Sequence, residues 1–142
     1  MRILFVCEYN ACRSQIAEGL ARAFLPPEHS VVSAGLYPGR VHELTVEVMK
    51  EIGIDISGHW SKRLPEVSGE SFDLAVVLAE PAADSVRAIG AKKTVVMHVP
   101  DPASEPATDQ VLKQRLRDCR DGLRVLLSKL QDFLSEVPKD GR

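Results

Sequence analysis

Hydrophobic positions along this chain fall either into short unbroken runs or into longer stretches of helical spacing. Ile3-Leu4-Phe5-Val6 is continuous, the pattern of a strand buried on both faces of a parallel sheet, and predicts a first strand over Arg2 to Val6. Ile16, Leu20, Ala23 and Phe24 then recur at helical spacing until Pro26-Pro27 stops the helix. Ser30 to Ala34 reads as a second strand, punctuated by Gly35 and Pro38-Gly39. Leu44, Val48 and Ile52 mark the apolar face of the next helix, which Gly53 can end as a C-cap. A polar stretch with a short helix near Leu64 leads to a third strand over Phe72 to Leu78, a helix over Pro81 to Ile89 and a fourth strand over Lys93 to Met97. Leu112, Leu116, Cys119, Leu123, Leu126, Leu130 and Phe133, spaced by fours and threes, form one stripe on a long final helix.

Strands alternating with helices imply βαβ units, right-handed crossovers and a parallel α/β sheet. The 142 residues suit one domain, assigned to 1–137, with 138–142 as a frayed tail. Hydrophobic residues at 44% and charged residues at 27% are ordinary for a soluble globular protein. A net charge of −2 argues against a general nucleic-acid binder. No apolar run reaches membrane-spanning length, and Met1-Arg2 leads straight into a strand, so the expectation is a cytoplasmic protein with no membrane partner. Three cysteines, an odd number, do not make a disulfide framework and suit a reducing compartment.

The candidate chemistry lies between the first strand and the first helix, in Cys7-Glu8-Tyr9-Asn10-Ala11-Cys12-Arg13-Ser14. Such a loop can curl into a cup whose backbone N–H groups, with the start of the helix, surround a tetrahedral oxyanion. The cup is expected to comprise Glu8, Tyr9, Asn10, Ala11, Cys12 and Arg13, with the planar fork of Arg13 matching two oxygens at once. Cys7 at its floor is then a nucleophile beneath its electrophile, in a field that favours thiolate. A cysteine at a strand end is often mere core packing, but the strand-loop-helix junction is the context this chemistry requires. Asn10 is expected to hold a left-handed backbone conformation. Ser14 has two readings, a donor to the Cys7 sulfur or a helix-terminal residue satisfying an amide. Ligands in open parallel sheets bind beyond the carboxyl ends of the strands. Asp101, after the fourth strand, falls there too, although Asp-Pro is also common turn chemistry. Glu8 is expected to face solvent, and either to repel a highly charged substrate or to favour one with a basic group. The four His and three scattered Cys give no zinc-ligand spacing, so no metal is expected.

The loop, with Asn10 in its middle, Cys12 before Arg13 and Ser14-Gln15 after, resembles the low-molecular-weight protein tyrosine phosphatase superfamily, and more narrowly its arsenate reductase branch. Ser33-Ala34-Gly35, Pro38-Gly39 with Val41-His42, Gly53 to His59, Ser61-Lys62 and Asp101-Pro102-Ala103 follow in the family's order, so the likeness covers nearly the whole chain. It implies a three-layer sandwich with a four-stranded parallel sheet of order 2-1-3-4. It also implies an enzyme acting on arsenate or on a phosphate monoester, with Cys7, Arg13, Asp101 and Ser14 as the catalytic group. On a phosphoester Cys7 attacks phosphorus and Asp101 protonates the leaving oxygen; on arsenate a second thiol must take the adduct apart. A non-catalytic oxyanion-binding regulator is the remaining reading.

Several positions depart from the branch. Thioredoxin-coupled members resemble this chain but carry a resolving cysteine where Ala79 stands, and nothing from there to Asp101 replaces it. Cys119, in the apolar stripe of the last helix, reads as a buried inert thiol. Cys12 is either a redox partner for Cys7 or packing under the loop. An external low-molecular-weight thiol or a glutaredoxin-like partner is therefore expected to resolve the adduct, with no bound cofactor. Some reductases resemble this chain at Asn10, Glu18 and Ser33 and add an aspartate to complete a potassium site; here Lys62 takes that place, an ammonium for a cation. The Asp-Pro lacks the aromatic neighbour usual in tyrosine phosphatases, and Tyr9, Tyr37 and Trp60 are the candidates to line the mouth.

Overall fold

The computed structural model describes residues 1–136; the expected tail, 138–142, lies outside them. Four parallel strands, β1 (Arg2–Cys7), β2 (Ser30–Gly35), β3 (Leu74–Val77) and β4 (Lys93–Val96), form one sheet in the order β2-β1-β3-β4. Central β1 pairs Ile3 with both Val31 and Leu74, and Phe5 with Ser33 and Val76. The alternation of a strand then splits the core in two. Ile3, Phe5 and Cys7 face a layer made by α1 (Arg13–Phe24), α2 (Glu43–Lys50) and the long α5 (Asp109–Glu136). Leu4 and Val6 face α3 (Leu64–Val67) and α4 (Ala83–Arg87). The three-layer α/β sandwich and its strand order are those implied by the resemblance.

Element limits follow local chemistry. The chain leaves α1 at Leu25, already extended (ψ 152) ahead of Pro26. His42 caps α2 by accepting the Leu44 amide at 3.1 Å, and Gly53, at φ 79, turns the chain away after it. Three expected details change. Ala23 and Phe24 lie on the exposed side of α1, whose buried stripe is Ile16, Ala17, Leu20, Ala21 and Leu25; the Phe24 ring instead lies under the Arg124 guanidinium. The helix expected over Pro81 to Ile89 is a 3-10 turn over Glu80–Ala82 followed by the short α4. In the second half of α5 the buried positions are Leu123, Leu127, Leu130 and Leu134, so Leu127 and Leu134 turn inward where Leu126 and Phe133, only half-buried, were expected. Four and three residues of spacing keep the helix on track either way, so spacing alone did not settle which of two adjacent apolar residues turns inward.

Layer contacts between α2 and α5 include one ionic cluster. Arg117 and then Arg120 bind the Glu51 carboxylate, holding it down from its ordinary 4.5 to about 2. Since the folded state depresses this group, its contribution is present above about pH 4.5 and fades as pH falls toward 2. Glu51→Gln is expected to lose up to about 1 kcal/mol at neutral pH, a solvent-screened value, and to converge on the parent only as the pH falls below about 2, as read by denaturant titration.

Candidate active site

The loop between β1 and α1 is braced from outside. Tyr37 N donates to Glu8 O at 2.9 Å, Ser61 Oγ to Asn10 O at 2.8 Å and His42 N to Ala11 O at 3.2 Å. In a planar trans peptide the N–H opposes the carbonyl. The amides of Tyr9, Ala11 and Cys12 therefore point away from the braces. Close approach of those braces requires glycine: a Cβ on Gly35 would stand 2.7 Å from Asn10 N, and one on Gly39 2.6 Å from Tyr9 O.

Cys7 lies at the end of β1, 2% exposed. Its Sγ is 2.8 Å from Ser14 Oγ. The direction of that bond follows from the chain of contacts behind it. Glu18 Oε1 accepts from Ser33 Oγ at 2.7 Å, so Ser33 Oγ takes its other bond from Asn10 Nδ2 at 2.9 Å. Asn10 Nδ2 also donates to Ser14 Oγ at 2.7 Å, leaving the Ser14 proton for the Cys7 sulfur. Ser14 Oγ lies within hydrogen-bond distance of the Cys7 sulfur, while the residue flanking α1 is Cys12 and no side chain caps there.

Asn10 has φ 54, the expected left-handed conformation, and its Oδ1 accepts from Gln15 Nε2 and Lys62 N, both at 2.9 Å. Gln15 is fully buried and joins this loop to the 59–60 turn through Trp60 O and the His59 ring. Sequence reasoning gave it no role, although Gln15, Glu18 and Arg22 form a polar stripe beside the apolar one. Burial, opposed by Glu18, lowers the His59 pKa from its ordinary value. Glu18, 3% exposed, is surrounded by Arg22 Nε (3.2 Å), His59 Nδ1 (3.4 Å) and Lys62 Nζ (4.0 Å). The Lys62 ammonium thus stands beside the Glu18 carboxylate.

Arg13 is 3% exposed; its Nη1 donates to Val99 O at 2.8 Å and its Nη2 faces Glu8 Oε1 at 3.3 Å and Asp101 Oδ2 at 4.0 Å. The contact with Val99 was not foreseen, since a backbone carbonyl leaves no mark in a sequence. Asp101 Oδ1 accepts the Ala103 amide at 2.9 Å in a turn, and its Oδ2 lies 4.0 Å from Arg13 Nη2. Glu8, expected to face solvent, is instead half-buried against Arg13, because that buried cation draws it in. Tyr9 and Tyr37, 47% and 49% exposed, form a tilted ring pair 5.5 Å apart; Trp60, 67% exposed, lies against the Lys62 ammonium.

Cys12 is buried in the core, where desolvation pushes its thiol up to about 11, and half-buried Cys119 is raised likewise to about 12. At pH 8 such thiols are thiolate in about one part in a thousand or less. Iodoacetamide at that pH is expected to modify Cys7 ahead of both, with labelling of Cys12 and Cys119 rising only toward pH 11, as peptide mass spectrometry will show.

The profile of the low molecular weight phosphotyrosine protein phosphatase family matches residues 2–140. An arsenate reductase from Halalkalibacterium halodurans is 39% identical over 120 residues, 82% of this chain and 86% of that protein. A glutaredoxin arsenate reductase from Synechocystis sp. is 39% identical over 77 residues, 54% of this chain; the match spans 59% of that relative's length. Among solved structures, the YwlE arginine phosphatase from Geobacillus stearothermophilus superposes with a TM-score of 0.76 over 94% of this chain and 92% of that one, at 25% identity. A profile running nearly end to end, joined to an arsenate reductase aligned over most of both chains, places this protein in the low molecular weight phosphotyrosine protein phosphatase family, on its arsenate reductase branch.

Proposed function

We propose that this enzyme reduces arsenate with the help of an external thiol. The observation that carries the reading is the Cys7 floor, with the Ser14 hydroxyl at 2.8 Å and the Arg13 guanidinium at the edge of an amide-lined cup. Arsenate enters the cup, the Cys7 sulfur displaces one arsenic-bound oxygen as water, and Arg13 with the loop amides holds the remaining oxygens. Ser14 Oγ, itself held by Asn10 Nδ2, lies against the sulfur. An external thiolate then attacks the Cys7 sulfur; the S–As electron pair stays on arsenic, arsenite leaves, and Cys7 remains as a mixed disulfide. A second thiol frees it. The raised thiols of buried Cys12 and half-buried Cys119 support an external resolving thiol over an internal one. Lys62 supplies the positive charge beside Glu18.

A second reading, hydrolysis of phosphate monoesters, is favoured by Asp101. Its carboxyl flanks Arg13 and can serve as proton donor to a leaving oxygen and then as base for water.

Single-turnover reaction of the reduced protein with arsenate, with glutathione, mycothiol, a glutaredoxin or nothing added, separates the two. Arsenite with a Cys7 mixed disulfide in one of the thiol arms is the expected result. Arsenite without added thiol would implicate Cys12 or Cys119. No arsenite in any arm, with ready hydrolysis of an aryl phosphate, would leave the phosphatase.

A further inference from the structure

Beyond the carboxyl ends of β3 and β4, against α4, lies a groove of about 690 Å³ whose lining includes Glu80, Asp84, Arg87, Val96 and His98. Its size falls in the range of small-molecule sites, about 300–1,000 Å³. Two of its walls adjoin the Cys7 site. Leu78 N donates to Val6 O at 2.7 Å, which sets the end of β3 beside the end of β1. Buried Ala79, in the same core cluster as Cys7, then continues extended (φ −129, ψ 113) into Glu80. On the other wall His98 precedes Val99, whose amide donates to Leu78 O at 2.8 Å and whose carbonyl holds Arg13. Neighbouring strands stand about 4.8 Å apart and each extended residue advances about 3.3 Å, so Glu80 starts within about 10 Å of Cys7, the span of a three-residue peptide.

Both signs of charge line the groove. Arg87 Nη1 meets Asp84 Oδ1 only at 3.5 Å, with both side chains largely exposed, so little is lost when either takes another partner. His98 Nδ1 accepts the Glu80 amide at 3.0 Å, which leaves the ring proton on Nε2 as a donor for a ligand. Arg87 and His98 thus suit a carboxylate, while Glu80 and Asp84 suit an ammonium. A peptide thiol carrying both groups matches this lining. An uncharged sugar thiol leaves its charges unanswered.

We propose that this groove seats the resolving thiol, and that its occupant is a zwitterionic peptide thiol held by a carboxylate on Arg87 and His98. The inference rests on the reading of this protein as an externally resolved arsenate reductase and adds to it the place and chemical class of the thiol. From the groove the thiolate attacks Cys7 Sγ and an S–S bond forms. The S–As bond breaks with its electron pair left on arsenic, so arsenic(V) departs as arsenite and the two sulfurs are oxidised to the mixed disulfide. The proton shed by the thiol goes to an arsenite oxygen.

The test follows single-turnover arsenite release by the full chain against the concentration of glutathione, of its glycyl ethyl ester and of an uncharged thiol, 2-mercaptoethanol, with a glutaredoxin and no thiol as further arms. In the parent the rate is expected to saturate with glutathione and to rise linearly with 2-mercaptoethanol. Arg87→Ser is expected to raise the half-saturating glutathione concentration about tenfold, and Arg87→Lys about threefold. The ester, weaker than glutathione in the parent, should match it in Arg87→Ser. A residue that merely supported α4 would slow 2-mercaptoethanol as well. A linear glutathione response in the parent, unchanged half-saturation in Arg87→Ser, a parallel loss with 2-mercaptoethanol, or arsenite with the glutaredoxin alone would overturn the proposal and leave external resolution standing. Arsenite without added thiol, or none in any arm, would overturn external resolution and the proposal with it.

Discussion

Cys7→Ser is expected to lower the rate of arsenite formation by about 10⁴-fold or more, to the level of the uncatalysed reaction with thiol. The serine oxygen is a poor nucleophile at neutral pH and cannot form the S–S bond through which electrons reach arsenic. The cup itself should survive, because its shape is set by the braces on Glu8, Asn10 and Ala11 and by the Asn10 hydrogen bonds, none of which uses the sulfur. Isothermal titration with inorganic phosphate should therefore show binding within a few-fold of the parent. Arg13→Lys makes the complementary loss. An ammonium gathers its donors on one nitrogen and lacks the planar fork by which Nη1 holds Val99 O while Nη2 is free to face the oxyanion, so both rate and phosphate affinity should fall, the rate by about 10²-fold. A Cys7→Ser protein that still produced arsenite at the parental rate would place the chemistry on another thiol.

Gly35→Ala is expected to damage the site from behind. The added methyl would stand 2.7 Å from Asn10 N, 2.8 Å from Tyr9 C and 2.9 Å from Glu8 O. All three are backbone atoms of the Cys7 loop, so no side chain can swing aside. The loop must move, and with it the amides over Cys7. We expect a stability loss of about 2 kcal/mol and a rate loss of about 10²-fold, since small displacements of an oriented site are costly. Gly122→Ala is the control. Nothing lies within 4 Å of its Cβ position on α5, and alanine there should raise stability by about 0.5–1 kcal/mol with the rate unchanged. Denaturant midpoints and single-turnover rates on the two variants test both halves.

How much of this was legible beforehand depended on whether a feature is local. The Cys7 to Ser14 loop could be read because the strand, the loop and the helix that form it are contiguous, and strand order and layers followed from the whole-chain resemblance. Features made by distant segments were less visible. Arg13 reaches the Val99 carbonyl across 86 residues, and Gln15 reaches His59 across 44. Neither partnership leaves a pattern along the chain. Glu8 was misplaced for a related reason: its polarity said solvent, but the buried guanidinium five residues on draws it inward. The misreading of Leu126 and Phe133 was of another kind, a choice between adjacent apolar residues that only packing makes.

The central position of β1 also bears on how the molecule assembles. Its neighbours on either side begin about 28 residues downstream, in β2, and 71 residues downstream, in β3. During synthesis the segment bearing Cys7 is thus made well before the strand that completes its sheet, and both pairings are parallel, non-local and slow to form. Until β3 and its helices emerge, a reactive thiol lies on an apolar strand with unpaired edges. The nascent chain is then most exposed to oxidation and to strand-to-strand aggregation, so soluble yield should depend on the redox state and chaperone supply of the expressing cell more than the stability of the finished fold suggests.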